Sequence, residues 1–295
     1  MEEVVVTSEN TQDLPSQVSR ATQLPQEKRI ELTQKGIWVQ YPLADELIRF
    51  LEGLDSQPRR PRMMGRTLVG PTGNGKTSII QQFRAIQRAR RTLDDNPYEY
   101  LYVLTPPNPT IRSMYVRILS ACHFDVSRGS AEELWQKVVR GLGDLNVRML
   151  FLDDVDHLLN SQNERVLNQC RDVLKDIANQ LMIPIVLVGT DKAEGALKGN
   201  PQVVSRYPVI HLDKWNNNAS FRTLLRSFER GMVLRERSNL DEKETADRIY
   251  ELSGGTIGGV SNIITECAAD ALKRGEEKIT LNLINELHES RFARF

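Results

Sequence analysis

Apolar positions along the chain follow two different periods, and the change between them marks out its organisation. Short, nearly unbroken apolar runs occur at 67–69, 100–104, 149–152 and 185–188, with 209–212 a fifth candidate. Runs with so few polar members read as strands buried on both faces of a parallel sheet. Between them the spacing turns helical, over 77–91, 110–122, 131–142 and 163–180. That alternation predicts a doubly wound α/β domain. After Asp213 the strands stop, and helical patterns follow at 219–230, 242–252, 258–274 and 281–289. Upstream, a helix is expected over 27–35, closed by Gly36, then an extended apolar step from Ile37 to Pro42. A helix from Leu43 follows, ended by the Pro58 to Pro61 stretch. Residues 1–25 show little periodicity and are expected to be a mobile arm. The layout is therefore an arm (1–25), an α/β core with a helical lead-in (26–213) and a small all-helical domain (214–295).

Composition changes this picture little. The chain has 295 residues, 40% hydrophobic and 26% charged, as ordinary soluble domains have. No apolar run approaches the roughly 20 residues that span a bilayer, so a membrane role is not expected. The acidic, polar start does not read as a secretory signal. Cys122, Cys170 and Cys267 are odd in number and lack a CxxC pair, which fits a reduced, cytoplasmic setting. The 39 basic and 39 acidic residues cancel, excluding a uniformly basic nucleic-acid binder but not local basic surfaces. Two such clusters stand out: Arg59, Arg60, Arg62 and Arg66, and Arg84, Arg88, Arg90 and Arg91. Arg84, Arg88 and Arg91 share one helix face, read first as solvated.

The chemistry begins at Gly70-Pro71-Thr72-Gly73-Asn74-Gly75-Lys76-Thr77, a GxxxxGK[ST] loop with a strand before it and a helix from Ser78 after it. Its glycines let the backbone wrap phosphates, and the helix N-terminus points N–H groups at negative charge. Lys76 is placed for the β- and γ-phosphates of ATP, and the Thr77 hydroxyl for Mg²⁺. A second apolar strand ends in Asp153-Asp154, the Walker B arrangement. Asp153 would hold the Mg²⁺ water shell. Asp154 stands where a Glu usually orients the attacking water. It is one methylene shorter, so its carboxylate sits about 1 Å back, which predicts slow or partner-dependent hydrolysis. Thr190 ends the next strand, where ATPases of the AAA+ class carry a polar γ-phosphate sensor. Arg206 precedes the last strand, where such ATPases place an arginine finger that reaches a neighbour's site. His157 lacks a second histidine at metal-ligand spacing and reads as structural. Trp135, Trp215 and Phe221 read as packing residues.

The segments IWVQYP, RMMGRTLVGPTGNGKT, MLFLDDVDHLL, IPIVLVGTDKA and GTIGGVSNII together closely resemble the TniB/TnsC family of transposition ATPases over about residues 27–290. The resemblance implies an AAA+ P-loop NTPase with a parallel-sheet α/β core followed by a small all-helical lid domain. It places Trp38 and Tyr41 at the adenine pocket, and Ile257 and Gly258 near the second nucleotide sensor. It implies a regulator of DNA transposition that polymerises on double-stranded DNA with ATP, marks the target and recruits a DDE transposase. A TniQ-type target selector is a further implied partner. Two departures stand against the pattern: Asp153-Asp154 where the family has Asp-Glu, and Gly259 where many relatives carry a sensor arginine.

Sequence-independent DNA binding needs backbone contacts rather than base readout. The resemblance places these at Thr110 and Arg112, and at Arg128 and Ser130. Arg112 could equally be a solvated helix residue, and Ser130 an N-cap before Glu133. Two rivals share the nucleotide motifs. One is a helicase-loader or replication-initiator ATPase, which would be expected to append a helix-turn-helix domain. The other is a nucleotide-switched scaffold with negligible hydrolysis.

Overall fold

The computed structural model describes residues 14–36, 38–90, 96–126, 128–160, 164–197 and 201–292. The expected positions of Ile37, Arg91, Asn163 and residues 1–13 lie outside these.

Five strands form one sheet: β1 (Arg66–Val69), β2 (Tyr100–Leu104), β3 (Met149–Asp153), β4 (Ile185–Gly189) and β5 (Val209–His211). Their order is β2-β3-β4-β1-β5, and every pairing is parallel. The inner strands β3 and β4 are buried along their whole length, as their unbroken apolar runs require. The edge strand β5 carries exposed Val209 and His211. Helices α4 (Lys76–Ala89), α5 (Ile111–Ala121), α6 (Ala131–Asp144) and α7 (Glu164–Gln180) connect the strands. On the sheet, Phe83 of α4 meets Tyr100 and Phe151 edge-on, with ring centroids 5.1 and 5.8 Å away. Because all strands run one way, Gly70, Asp154 and Thr190 follow the carboxyl ends of β1, β3 and β4 at one end of the sheet. In open α/β sheets that end carries the ligand site.

The chain divides into two compact units. One, residues 47–72 and 79–213, contains the sheet. The other takes residues 1–46, 73–78 and 214–295, so the N-terminal helices and the phosphate-loop turn cluster with the C-terminal helices. Leu14–Ala21, within the stretch read as an arm, is helix α1. It is followed by α2 (Gln26–Gln34), and α3 (Pro42–Asp55) leads on from there into the sheet unit. The C-terminal helices are α10 (Ala219–Gly231), α11 (Lys243–Ser253), α12 (Ile257–Arg274) and α13 (Leu281–Phe292). Helix α2 packs on α12. It is fixed there by Arg29, which is 2% exposed. The Arg29 guanidinium donates to the Val233 carbonyl at 2.9 and 2.6 Å and to both Glu277 oxygens at 2.8 and 2.5 Å. The Gln26 amide also donates to the Leu272 carbonyl. A buried guanidinium satisfied by a bidentate carboxylate fixes geometry as well as charge.

Candidate nucleotide site

The loop that follows β1 adopts left-handed backbone at Gly73 (φ 73°) and Gly75 (φ 86°), and α4 begins at Lys76. Alternating hand in this way turns successive N–H groups inward as a concave anion nest. The first turn of α4 carries no acidic residue, so nothing on it offsets the positive helix end. Lys76 is 9% exposed and Asn74 2% exposed. These features fit a polyphosphate. The N-terminus of α12 seats against the same loop. The Gly258 N–H donates to the Gly73 carbonyl at 2.7 Å, and the Ile257 N–H reaches the Asn74 side-chain oxygen at 3.4 Å. Tyr41, 5% exposed, meets Trp215 edge-on at 5.5 Å. Burial first, then the Asp45 charge, pushes its phenol pKa up to about 12, so it remains neutral. Trp38 is half-buried. The structure thus brings Gly73, Asn74, Gly75, Tyr41, Ile257 and Gly258 together within one unit. Pro71 and Thr77 are half-buried, Thr72 and Ser78 exposed.

In the sheet unit, Asp153 is 4% exposed. Its carboxylate accepts the Tyr102 hydroxyl at 2.6 Å and the Asp154 N–H at 2.8 Å. Its carbonyl takes the Thr105 N–H at 2.9 Å and the Thr105 hydroxyl at 2.7 Å. A buried carboxylate oriented by such donors suits a hydrated divalent cation. Asp154 is exposed and lies in the left-handed region (φ 54°), which Asp tolerates better than most residues. Thr190 is held by Asp156: its N–H donates at 2.8 Å and its hydroxyl at 2.9 Å to the two carboxylate oxygens. His157 contacts the Thr105 carbonyl at 3.1 Å. Arg206 ends helix α9 (Pro201–Arg206) and is 8% exposed. It donates to the Asn179 side-chain oxygen at 3.0 Å, while its Nε lacks a hydrogen-bond partner. In the single chain this side chain is turned inward.

The four DNA candidates converge in the sheet unit. Thr110 caps α5 in a capping box with Ser113, and Ser130 caps α6 in one with Glu133. Hydrogen bonds from Ser130 hold the Glu133 carboxyl below its ordinary pKa, as an intact box requires. Arg112 donates to the Gly129 carbonyl at 2.7 Å, tying the start of α5 to the loop that carries exposed Arg128. Of the arginine clusters, Arg66 stacks over Phe50 at 4.9 Å, and Arg59 donates to the Met182 carbonyl at 3.2 Å. Arg84 is half-buried. Burial first, then the Arg88 charge, lowers its pKa.

The sequence matches the family described as Bacterial TniB protein over residues 29–217, well over half of the chain. The chain belongs to the TniB family. No curated protein matches it. Among solved structures, this TniB-family fold is similar to the ORC2 protein of Aeropyrum pernix, with TM-score 0.60 and 18% identity over 83% of this chain and 66% of that one. It is also similar to the ORC1 protein of the same organism in complex with DNA, with TM-score 0.61 and 16% identity over 86% of this chain and 66% of that one. A RuvB variant of Thermotoga maritima matches with TM-score 0.52 and 14% identity over 85% of this chain and 70% of that one. The TniB chain spans about two thirds of the length of these proteins, and the shared part is the AAA+ P-loop ATPase fold. Two residues at this site had no sequence signal strong enough to single them out. Asp156 follows the Walker B pair within DDVD, and Tyr102 is a strand residue that reads as core. Among the described residues no group of His, Cys, Asp and Glu forms a separate metal cluster, and no helix is long and apolar enough to cross a membrane.

Proposed function

We propose that this TniB-family chain is an ATP-dependent DNA-binding regulator of DNA transposition, which assembles on duplex DNA, marks a target site and recruits a DDE transposase. The carrying observation is the phosphate nest at Gly73 and Gly75 before an acid-free helix start, on a chain with the AAA+ strand order. In this scheme Gly70 to Ser78 cradle the phosphates, with Lys76 on the β- and γ-groups. Thr77 and Asp153 hold Mg²⁺, which when bound neutralises charge developing on the phosphates. Asp154 orients the attacking water. Thr190, locked by Asp156, reads the γ-phosphate. Trp38 and Tyr41 flank the base. Arg206 serves a neighbouring protomer once assembly releases it from Asn179. Thr110, Arg112, Arg128 and Ser130 meet the DNA backbone, and a TniQ-type selector supplies target choice.

Hydrolysis is slow in this scheme. Asp154 is one methylene short, and Arg206 must leave a buried hydrogen bond to act in trans. The same two observations favour a second reading, a nucleotide-switched scaffold. Measuring ATP turnover alone, with duplex DNA, and with DNA and transposase separates them. Turnover raised by partners supports the enzyme. ATP-dependent assembly with flat, negligible turnover supports the scaffold, and a protein that binds no ATP refutes both.

A further inference from the structure

The strand residue Tyr102 has a feature that core packing does not require. In the β2–β3 register, Tyr102 pairs with Phe151 and Leu104 with Asp153, so the phenol starts two residues short of the carboxylate on the same sheet face. Its hydroxyl reaches across to the neighbouring strand and donates to Asp153 Oδ2 at 2.6 Å. That is a short hydroxyl–carboxylate hydrogen bond. The other oxygen, Oδ1, takes the Asp154 N–H at 2.8 Å, and the Asp153 main chain is fixed by Thr105. A phenylalanine would fill the same half-buried space, so the hydroxyl is the part that needs a function.

We propose that Tyr102 is a positioning residue for the divalent cation, holding the Asp153 carboxylate in the rotamer that receives hydrated Mg²⁺. This rests on the ATP-site reading above. Without the phenol, the Asp153 carboxylate loses the hydroxyl that holds Oδ2 and gains rotational freedom. Each Mg²⁺ binding event then has to freeze that freedom out. A hydrogen bond to a charged group is worth roughly tenfold or more in an equilibrium constant, so the cost falls on metal affinity by about tenfold. Contacts to the base and sugar do not involve this carboxylate, so metal-free nucleotide binding is unaffected.

The test is Tyr102→Phe, with Tyr100→Phe as the matched control, since the Tyr100 hydroxyl bonds Asp55 at 3.0 Å instead. A fluorescent ATP analogue is titrated into the full chain in EDTA, then at fixed analogue with increasing Mg²⁺. For Tyr102→Phe the Mg²⁺ midpoint rises about tenfold, while Kd in EDTA is unchanged. Tyr100→Phe moves neither. An unchanged Mg²⁺ midpoint in Tyr102→Phe overturns the proposal, as does an equal weakening with and without Mg²⁺. A double-mutant cycle with Asp153→Asn, read by urea unfolding of nucleotide-free protein, supplies a second measurement. Non-additive effects support coupling through Asp153 and additive effects refute it. Failure of wild-type protein to bind the analogue at all would instead sink the ATP-site reading.

Discussion

Gly258→Ala tests whether the α12 N-terminus shapes the phosphate loop. A Cβ at position 258 would stand 2.5 Å from the Gly73 carbonyl oxygen, and the nearest atoms are all loop backbone. Relief to an ordinary contact requires a shift of about 0.9 Å, because closely packed backbone has no slack to absorb it. The Gly258 N–H to Gly73 bond, now 2.7 Å, would then pass beyond the ~3.2 Å limit of a sound hydrogen bond. Losing it costs about 1 kcal/mol, and the weaker Asn74 contact to Ile257 goes with it. In the helix itself Ala gains up to about 1 kcal/mol over Gly, so global stability should barely change. The loop is what suffers. Gly73 loses the anchor that sets its left-handed peptide, and ATP affinity falls about tenfold, roughly 1.4 kcal/mol. Calorimetric titration with ATP, alongside a thermal melt, reads both quantities. An Ala variant that binds ATP as wild type does would show that α12 merely lies near the loop. A variant that loses affinity and melts many degrees lower would mean unfolding, not loop distortion.

Three further perturbations bear on other parts of the molecule. Asp154→Glu restores the usual carboxylate reach and should raise turnover about tenfold, despite a small backbone cost at φ 54°; steady-state phosphate release checks this, and no gain would place the slow step elsewhere. Arg29→Met leaves Glu277 without its main partner and should destabilise the helical unit by about 3 kcal/mol in urea unfolding. Because Arg29, the largest cause, holds the Glu277 pKa below its ordinary 4.5, the pair stabilises above pH 4.5 and that contribution is lost as pH falls through the lowered value. The acid side of the stability profile should therefore flatten in Arg29→Met. Arg112→Ala with Arg128→Ala should weaken duplex-DNA binding at low salt about tenfold and leave ATP affinity intact, as gel-shift and titration assays would show; unchanged DNA binding removes these residues from the interface.

Local chemistry made much of this fold legible. The apolar runs became strands within a residue or two of their expected ends, and for β3 and β4 burial on both faces leaves little choice of residue. Gly36 is left-handed just beyond α2, and Thr110 and Ser130 cap their helices, since each such signal acts within four residues. What stayed hidden depends on partners far away in the chain. Arg29 and Glu277, 248 positions apart, explain why the N-terminal helices join the C-terminal ones, and no local period records that. Helices α8 (Lys192–Leu197) and α9 have six residues each, too short to establish a repeat. Tyr102 and Asp156 act on Asp153 and Thr190 through cross-strand and turn contacts that composition cannot show. The sequence also could not show that Arg206 is turned toward Asn179.

The central claim is that ATP in the Gly70–Thr77 loop drives assembly on DNA. Electron microscopy of the full chain with duplex DNA and a slowly hydrolysed ATP analogue tests it most directly, with ADP and Lys76→Ala as comparisons. Ordered assemblies along the duplex with the analogue, absent with ADP and with Lys76→Ala, are the predicted result. Assemblies that form equally without nucleotide, or a chain that remains monomeric on DNA with the analogue, would contradict it.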